Sequence, residues 1–171
     1  MHNFKILNLA ILTVRHFDEI RKWRDARRNI LRTKEDMSPA DYRQYLIMDE
    51  CKRYANENHL YGITDNGVFV AFGGLTHIKW GRDSAISAEL SFISVTDYNY
   101  EMAFRFHLRV SSEIWFSNSY YKGKVLISES YPFRKFHMAV MESVGFKKKS
   151  IIHELTREDY LGESLDMESG S

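Results

Sequence analysis

The apolar positions along this chain follow two periods in turn. Lys5 to Val14 is an apolar run that predicts a strand. Phe17, Ile20, Trp23 and Ile30 then recur at roughly helical spacing, predicting a helix from Phe17 to about Ile30. Ser38-Pro39 pairs a capping residue with proline at the first helical position, and Tyr42, Tyr45, Leu46 and Met48 follow. That second helix fades near Asn56-Glu57-Asn58. Leu60 to Thr64 and Val68 to Trp80 read as strands joined by Asp65-Asn66-Gly67, a hairpin signal. Gly73-Gly74 inside the second of these predicts a bulge or a close backbone approach. After a turn at Gly81-Arg82-Asp83 come a strand at 87–94, a helix from Ala103 to Asn118 and a strand from Lys124 to Glu129. A helix from Phe133 to Val144 closes on Gly145, and Lys147 to Leu155 reads as a last strand. The order gives an α/β (α+β) protein with a mixed central β-sheet flanked by helices.

Composition narrows the class. The chain has 171 residues, enough for one domain with a real core, here expected to span 1–161. Residues 162–171 are small and polar and predict a disordered tail. Hydrophobic content of 44% and charged content of 27% are those of a soluble globular protein. The formal net charge is +1, which favours neither nucleic acid nor an anionic membrane as partner. The single cysteine, Cys51, cannot form an internal disulfide and fits a reducing cytoplasm. No signal-peptide pattern opens the chain, and the Ile6 to Val14 run is too short to span a bilayer.

Several residues carry candidate chemistry. Glu89 stands alone as an acid in the apolar strand at 87–94; it is either a general base or a solvent-facing strand residue. His77 and Trp80 close the preceding strand and offer hydrogen bonding and stacking to a substrate, or structural packing. Arg24 and Asp25 either line a substrate entrance or form local ion pairs on a solvated helix face. His107 reads as packing or surface, and His137 leaves the same choice open. The seven histidines show no metal-ligand spacing with acids, so no metal site is expected. Tyr98, Tyr100, Phe104, Phe106, Trp115, Phe116, Tyr120 and Tyr121 crowd the long helix and its flanks. That is more aromatic surface than one helix face buries, which predicts a homodimer or partner surface. Basic runs at 21–32 and 147–149 read as solvated faces.

The element order and four segments resemble the GNAT superfamily of acetyl-CoA-dependent N-acyltransferases over roughly residues 5 to 155. Trp23-Arg24-Asp25 is similar to the Trp-Arg-Asn/Asp segment on the first helix of members that acetylate nucleotide-linked amino sugars and some other acceptors. Val70 to Leu75, with its two glycines, resembles the third strand of that family, and Ala88 to Phe92 the fourth. Glu142-Ser143-Val144-Gly145-Phe146 resembles the Glu-Lys-Leu-Gly-Phe that closes the family's last helix.

The resemblance implies an N-acetyltransferase that passes an acetyl group from acetyl-CoA to a primary amine of a small acceptor, with an amino sugar on a nucleotide carrier as the preferred class. Glu89 would be the base. The backbone of Leu90, Ser91, Phe92, Ile93 and Ser94 would align the pantetheine arm. Asn99, Tyr100, Met102, Ala103 and Arg134 would meet the rest of the cofactor. Trp23, Arg24, His77 and Trp80 would hold the acceptor. The chain also departs from the family pattern. The family's Arg/Gln-x-x-Gly-x-Gly/Ala phosphate turn falls on Tyr98 to Ala103, where the final Ala alone matches and Glu101 occupies the first glycine position. Met141 stands where the family often places a tyrosine that protonates the departing thiolate. These departures keep two alternatives open: an inactive GNAT-like interaction protein, and an acyltransferase whose donor is an acyl-carrier protein meeting Arg134-Lys135.

Overall fold

A computed structural model of the chain describes residues 1–26, 59–95, 100–128 and 135–148. Five strands form one sheet in the order β1-β2-β3-β4-β5. β1 is Phe4–Asn8, β2 His59–Asp65, β3 Val68–Trp80, β4 Ala85–Ser94 and β5 Val125–Ile127. The first four run antiparallel to their neighbours, and β5 joins β4 in parallel. The sheet is therefore mixed, as the sequence predicts. Among the described residues three α-helices accompany it: α1 Val14–Ala26, α2 Tyr100–Ser117 and α3 Lys135–Ser143. A parallel pair needs a crossover connection, and α2 supplies it between β4 and β5.

The predicted strand from Lys5 to Val14 stops at Asn8. The Asn8 side chain accepts a hydrogen bond from the Ala10 amide at 3.0 Å and opens a 3-10 turn, Leu9–Ile11. A short polar side chain here offers the backbone an alternative to the sheet ladder. The helix that follows starts earlier than the apolar spacing alone implies. Thr13 precedes it, and the Thr13 amide donates to Nδ1 of His16 at 2.9 Å, satisfying one orphan donor of the first turn. The hairpin between β2 and β3 turns on Asn66 and Gly67, both with positive φ (49° and 82°), the backbone that matches strand twist.

Each face of the sheet has its own core. On one side α1 buries Phe17, Ile20 and Trp23 against Leu60 and Phe72, with Phe69 and Ile93 at the margin. On the other, α2 places Val110 over Tyr61, Ile63, Val70 and Ala71, and Trp115 over Leu75, Ala85 and Ala88. α3 packs its Val140 and Met141 on Phe104 and Leu108 of α2. It ends as the sequence predicts: Gly145 takes φ 103°, its amide bonds the Glu142 carbonyl and the Phe146 amide bonds that of Met141. This is a glycine-closed helix end, and the left-handed residue is where glycine carries no side-chain penalty. The predicted strand Lys124 to Glu129 is the shorter β5, with Glu129 outside the described residues. Lys147 and Lys148 are not in a strand, and the rest of the predicted final strand lies outside the described residues. So do the helix predicted from Ser38, Cys51 and the 162–171 tail.

Candidate active site

The geometry that matters begins where β5 leaves β4. The two strands pair from Ser87–Val125 to Glu89–Ile127, and the pairing goes no further among the described residues. Beyond Glu89, β4 continues for five residues, Leu90 to Ser94, held on its other side by β3. The Val95 amide bonds the Val70 carbonyl at 2.9 Å, one position past the Ala71–Ser94 pair. The two-residue alternation of an antiparallel ladder then aims the backbone groups of Phe92 and Leu90 away from β3, toward the β5 side. Leu90 to Ser94, the segment expected to align the pantetheine, thus runs on beyond the last described β4–β5 pair with alternate backbone groups facing the β5 side.

Glu89 is the last β4 residue of that described pairing. Its neighbours Ala88 and Leu90 pack toward α2, so Glu89, with Ile93 further along, belongs to the α1 face. Its carboxylate Oε2 lies 3.1 Å from Nδ1 of His77, with side-chain exposures of 28% and 68%. A regular ladder would not bring these two groups together. Thr76 pairs with Glu89 and Lys79 with Ser87, so two residues of β3 oppose Ala88 alone. Ile78 packs with Ala88 in the α2-side core. His77 is therefore the inserted residue of a β-bulge, and its φ of 50° is left-handed. The bulge turns the imidazole to the Glu89 side.

The other expected acceptor residues are placed elsewhere. Trp80 leans on Tyr121 (ring centroids 5.9 Å) and Tyr120 (5.3 Å), and Tyr121 packs with Trp115 on the α2 face. The sheet thus lies between Trp80 and the His77–Glu89 pair. Trp23 is a core residue, 5% exposed, with its ring 5.0 Å from that of Phe69. Phe69 opens β3 while His77 is near its end, a separation of roughly 25 Å of strand at ~3.3 Å per residue. Arg24 is half-buried, and Asp25 pairs with Arg21 at 3.3 Å.

The start of α2 is the expected phosphate end. Asn99 and Arg134 lie outside the described residues. Ala103 is fully buried, and Met102 is exposed beside it. The Tyr100 hydroxyl is 2.6 Å from Nδ1 of His137, joining α2 to α3. Glu101, the acid at the glycine position of the family turn, is met by Arg105 at 2.9 Å. Arg105 also donates to Ser143 Oγ at 2.9 Å. The Glu101 charge is therefore offset locally, and a guanidinium stands one turn inside the helix. Sequence reasoning missed this pair, though the four-residue spacing of Glu101 and Arg105 is readable. Met141 is buried in the α2–α3 core.

Beneath the sheet runs a polar chain that the sequence did not reveal. The Tyr61 hydroxyl is 2.6 Å from Ser111 Oγ and 2.9 Å from Nδ1 of His107. His107 is wholly buried, and desolvation, with the nearby His137, lowers its pKa to about 3. Burial also pushes the Tyr61 hydroxyl up. No group of three or more His, Cys, Asp or Glu among the described residues is arranged to hold a metal. No helix among them is long and apolar enough to cross a membrane.

No family model and no curated sequence matches this chain. Solved structures do. A point variant of a spermidine N-acetyltransferase from Vibrio cholerae superposes with TM-score 0.66 at 13% identity, covering 90% of this chain and 84% of its own. A ribosomal-protein-S5-alanine acetyltransferase from Vibrio fischeri gives 0.65 at 12% identity, covering 87% and 81%. An aminoglycoside N-acetyltransferase solved in complex with CoA gives 0.58 at 14% identity, covering 92% and 97%. With its mixed sheet and its α2 crossover, this chain has the fold of the GNAT acetyltransferases.

Proposed function

We propose that the protein is an N-acetyltransferase that passes an acetyl group from acetyl-CoA to the primary amine of a small acceptor. One observation carries the reading: on this fold the described β4–β5 pairing ends at Glu89, and β4 runs on for five residues with alternate backbone groups facing the β5 side and a carboxylate where that pairing stops. The residues present fit the co-substrate. The edge from Leu90 to Ser94 offers strand-like hydrogen bonds to an amide-bearing arm. The first turn of α2 offers backbone amides, and Arg105 offers a cation to phosphate. Bound acetyl-CoA supplies the activated acyl carbonyl.

The chain's own task is to bring the amine to that carbonyl and remove its proton. An ammonium has no lone pair to attack with, so a proton acceptor must stand at the site. The Glu89–His77 pair where the described β4–β5 pairing ends supplies that acceptor. A buried Trp23 gives no support for an amino sugar on a nucleotide as acceptor, so the acceptor is stated as a small primary amine. The spermidine and aminoglycoside enzymes named above are consistent with that class.

A second reading, a GNAT-like protein without transfer activity, draws on Met141, which is buried and cannot protonate a thiolate. Calorimetric titration with acetyl-CoA, followed by transfer assays on polyamine, aminoglycoside and amino-sugar acceptors, separates the two. Saturable binding with turnover of any acceptor supports the first. Binding without turnover across the panel supports the second.

A further inference from the structure

The bulge at His77 is the one place where β3 breaks its ladder to move a titratable side chain from one face of the sheet to the other. The inserted residue takes a left-handed backbone, sparsely populated for residues other than glycine, with histidine among the more tolerant. Such an outlier persists where the surrounding structure over-determines it, and outliers of this kind gather at functional sites. The result is an imidazole whose Nδ1 lies 3.1 Å from the Glu89 carboxylate and whose ring is 68% exposed. A carboxylate is an acceptor alone, so a neutral imidazole that donates to it here does so through Nδ1–H. The lone pair then sits on Nε2, at the far edge of the ring. Glu89 faces the imidazole from β4. Lys79, paired with Ser87, shares that side of the sheet two residues on, and Arg82 and Asp83 lie in the turn beyond. Arg24 and Asp25 lie at the end of α1, the helix that covers this face.

We infer that His77 is the proton acceptor for the incoming amine and that Glu89 positions it. This rests on the acetyl-transfer reading above and assigns the base within it. Nε2 takes one proton from the ammonium, and the freed nitrogen lone pair forms a C–N bond to the thioester carbonyl carbon. The tetrahedral adduct collapses, breaking the C–S bond. The sulfur leaves with the electron pair and takes up the second proton lost by the nitrogen. The products are the N-acetyl amine, free CoA thiol and a proton on His77 that passes to solvent. Glu89 holds the Nδ1–H tautomer and stabilises the imidazolium that forms, without itself being protonated.

The experiment uses the full chain, His77→Asn and Glu89→Gln. Asparagine tolerates left-handed backbone, so the bulge is kept. Two readouts are taken. The first is the nitrogen chemical shifts of the His77 ring, which report the tautomer and need no turnover. The expected result is a fixed Nδ1–H form in the natural protein and a tautomer mixture in Glu89→Gln. A mixed tautomer in the natural protein overturns the pair. The second is kcat against pH with an acceptor that turns over. His77→Asn is expected to lose about 100-fold or more in kcat together with the acid limb of the profile, at unchanged acetyl-CoA affinity. A His77→Asn profile that keeps its acid limb and stays within threefold of the natural kcat overturns the assignment while leaving the transferase reading intact. A natural protein with no turnover on any acceptor defeats the transferase reading itself, and with it the base.

Discussion

At the scale of single residues, burial decides which titratable groups do work at a surface and which hold the interior. His107 and Tyr61 belong to the interior. With its pKa lowered to about 3, His107 stays neutral in the fold while the unfolded chain takes up a proton near its ordinary value of 6.5. The unfolded state thus binds the extra proton between those values, and stability falls as pH drops from 6.5 toward 3. The slope from this one group is at most about 1.4 kcal/mol per pH unit. Chemical denaturation of His107→Gln at pH 7 and pH 4.5 should show a smaller drop between the two than the natural protein does. An equal drop would place the acid sensitivity elsewhere. Trp23 is the opposite case of an expected site residue that proves to be packing. Trp23→Ala removes a ring from a closed core and should cost about 3–5 kcal/mol of stability, read as a shifted denaturant midpoint. Glu89→Gln should leave the midpoint within about 1 kcal/mol, since its carboxylate is at the surface of the sheet, and lower acetyl transfer by about 100-fold or more.

At the scale of elements, the sequence discloses what depends on local pattern. Phe17, Ile20 and Trp23 at helical spacing, the Asn66-Gly67 turn, and Gly145 after α3 all appear where the chain predicts them, because each is set by side-chain period or by a φ that few residues adopt. Gly73 and Gly74 also behave as read: a Cβ on either would meet backbone carbonyl oxygen, of Ser91 or of His59. Gly145→Ala, with φ at 103°, should destabilise the protein by about 1 kcal/mol without altering acetyl-CoA affinity, a pair of results thermal unfolding and calorimetry would check. Three features were not legible. A side chain at Asn8 ended β1 early, since a capping bond competes locally with a ladder that forms with residues 61–65 far along the chain. The β3 bulge was invisible because a strict two-residue period puts His77 opposite Ala88, on the wrong face. The Tyr61–His107–Ser111 chain joins a strand to a helix 46 residues away, a contact no local period encodes.

At the scale of the whole molecule, β4 is paired along most of its length by β3 on one side and, among the described residues, for three residues by β5 on the other. The first four strands form an antiparallel meander that fixes β4, and β5 meets it in parallel for three described residue pairs. At the start of α2 Glu101 is held by Arg105, and Arg105 is tied to the end of α3 through Ser143. That arrangement answers the objection raised by an acid in the phosphate turn, because its charge is already matched. It also predicts that Arg105→Ala weakens acetyl-CoA binding more than Glu101→Ala does, as removing the guanidinium takes away a cation and leaves the carboxylate uncompensated. The measurement that bears most directly on the account is calorimetric titration of the full chain with acetyl-CoA. The β4 segment beyond Glu89 and the matched Glu101 predict saturable binding at one site per chain, weakened by Arg105→Ala. Absence of binding at millimolar acetyl-CoA, in protein whose unfolding is cooperative, would contradict it.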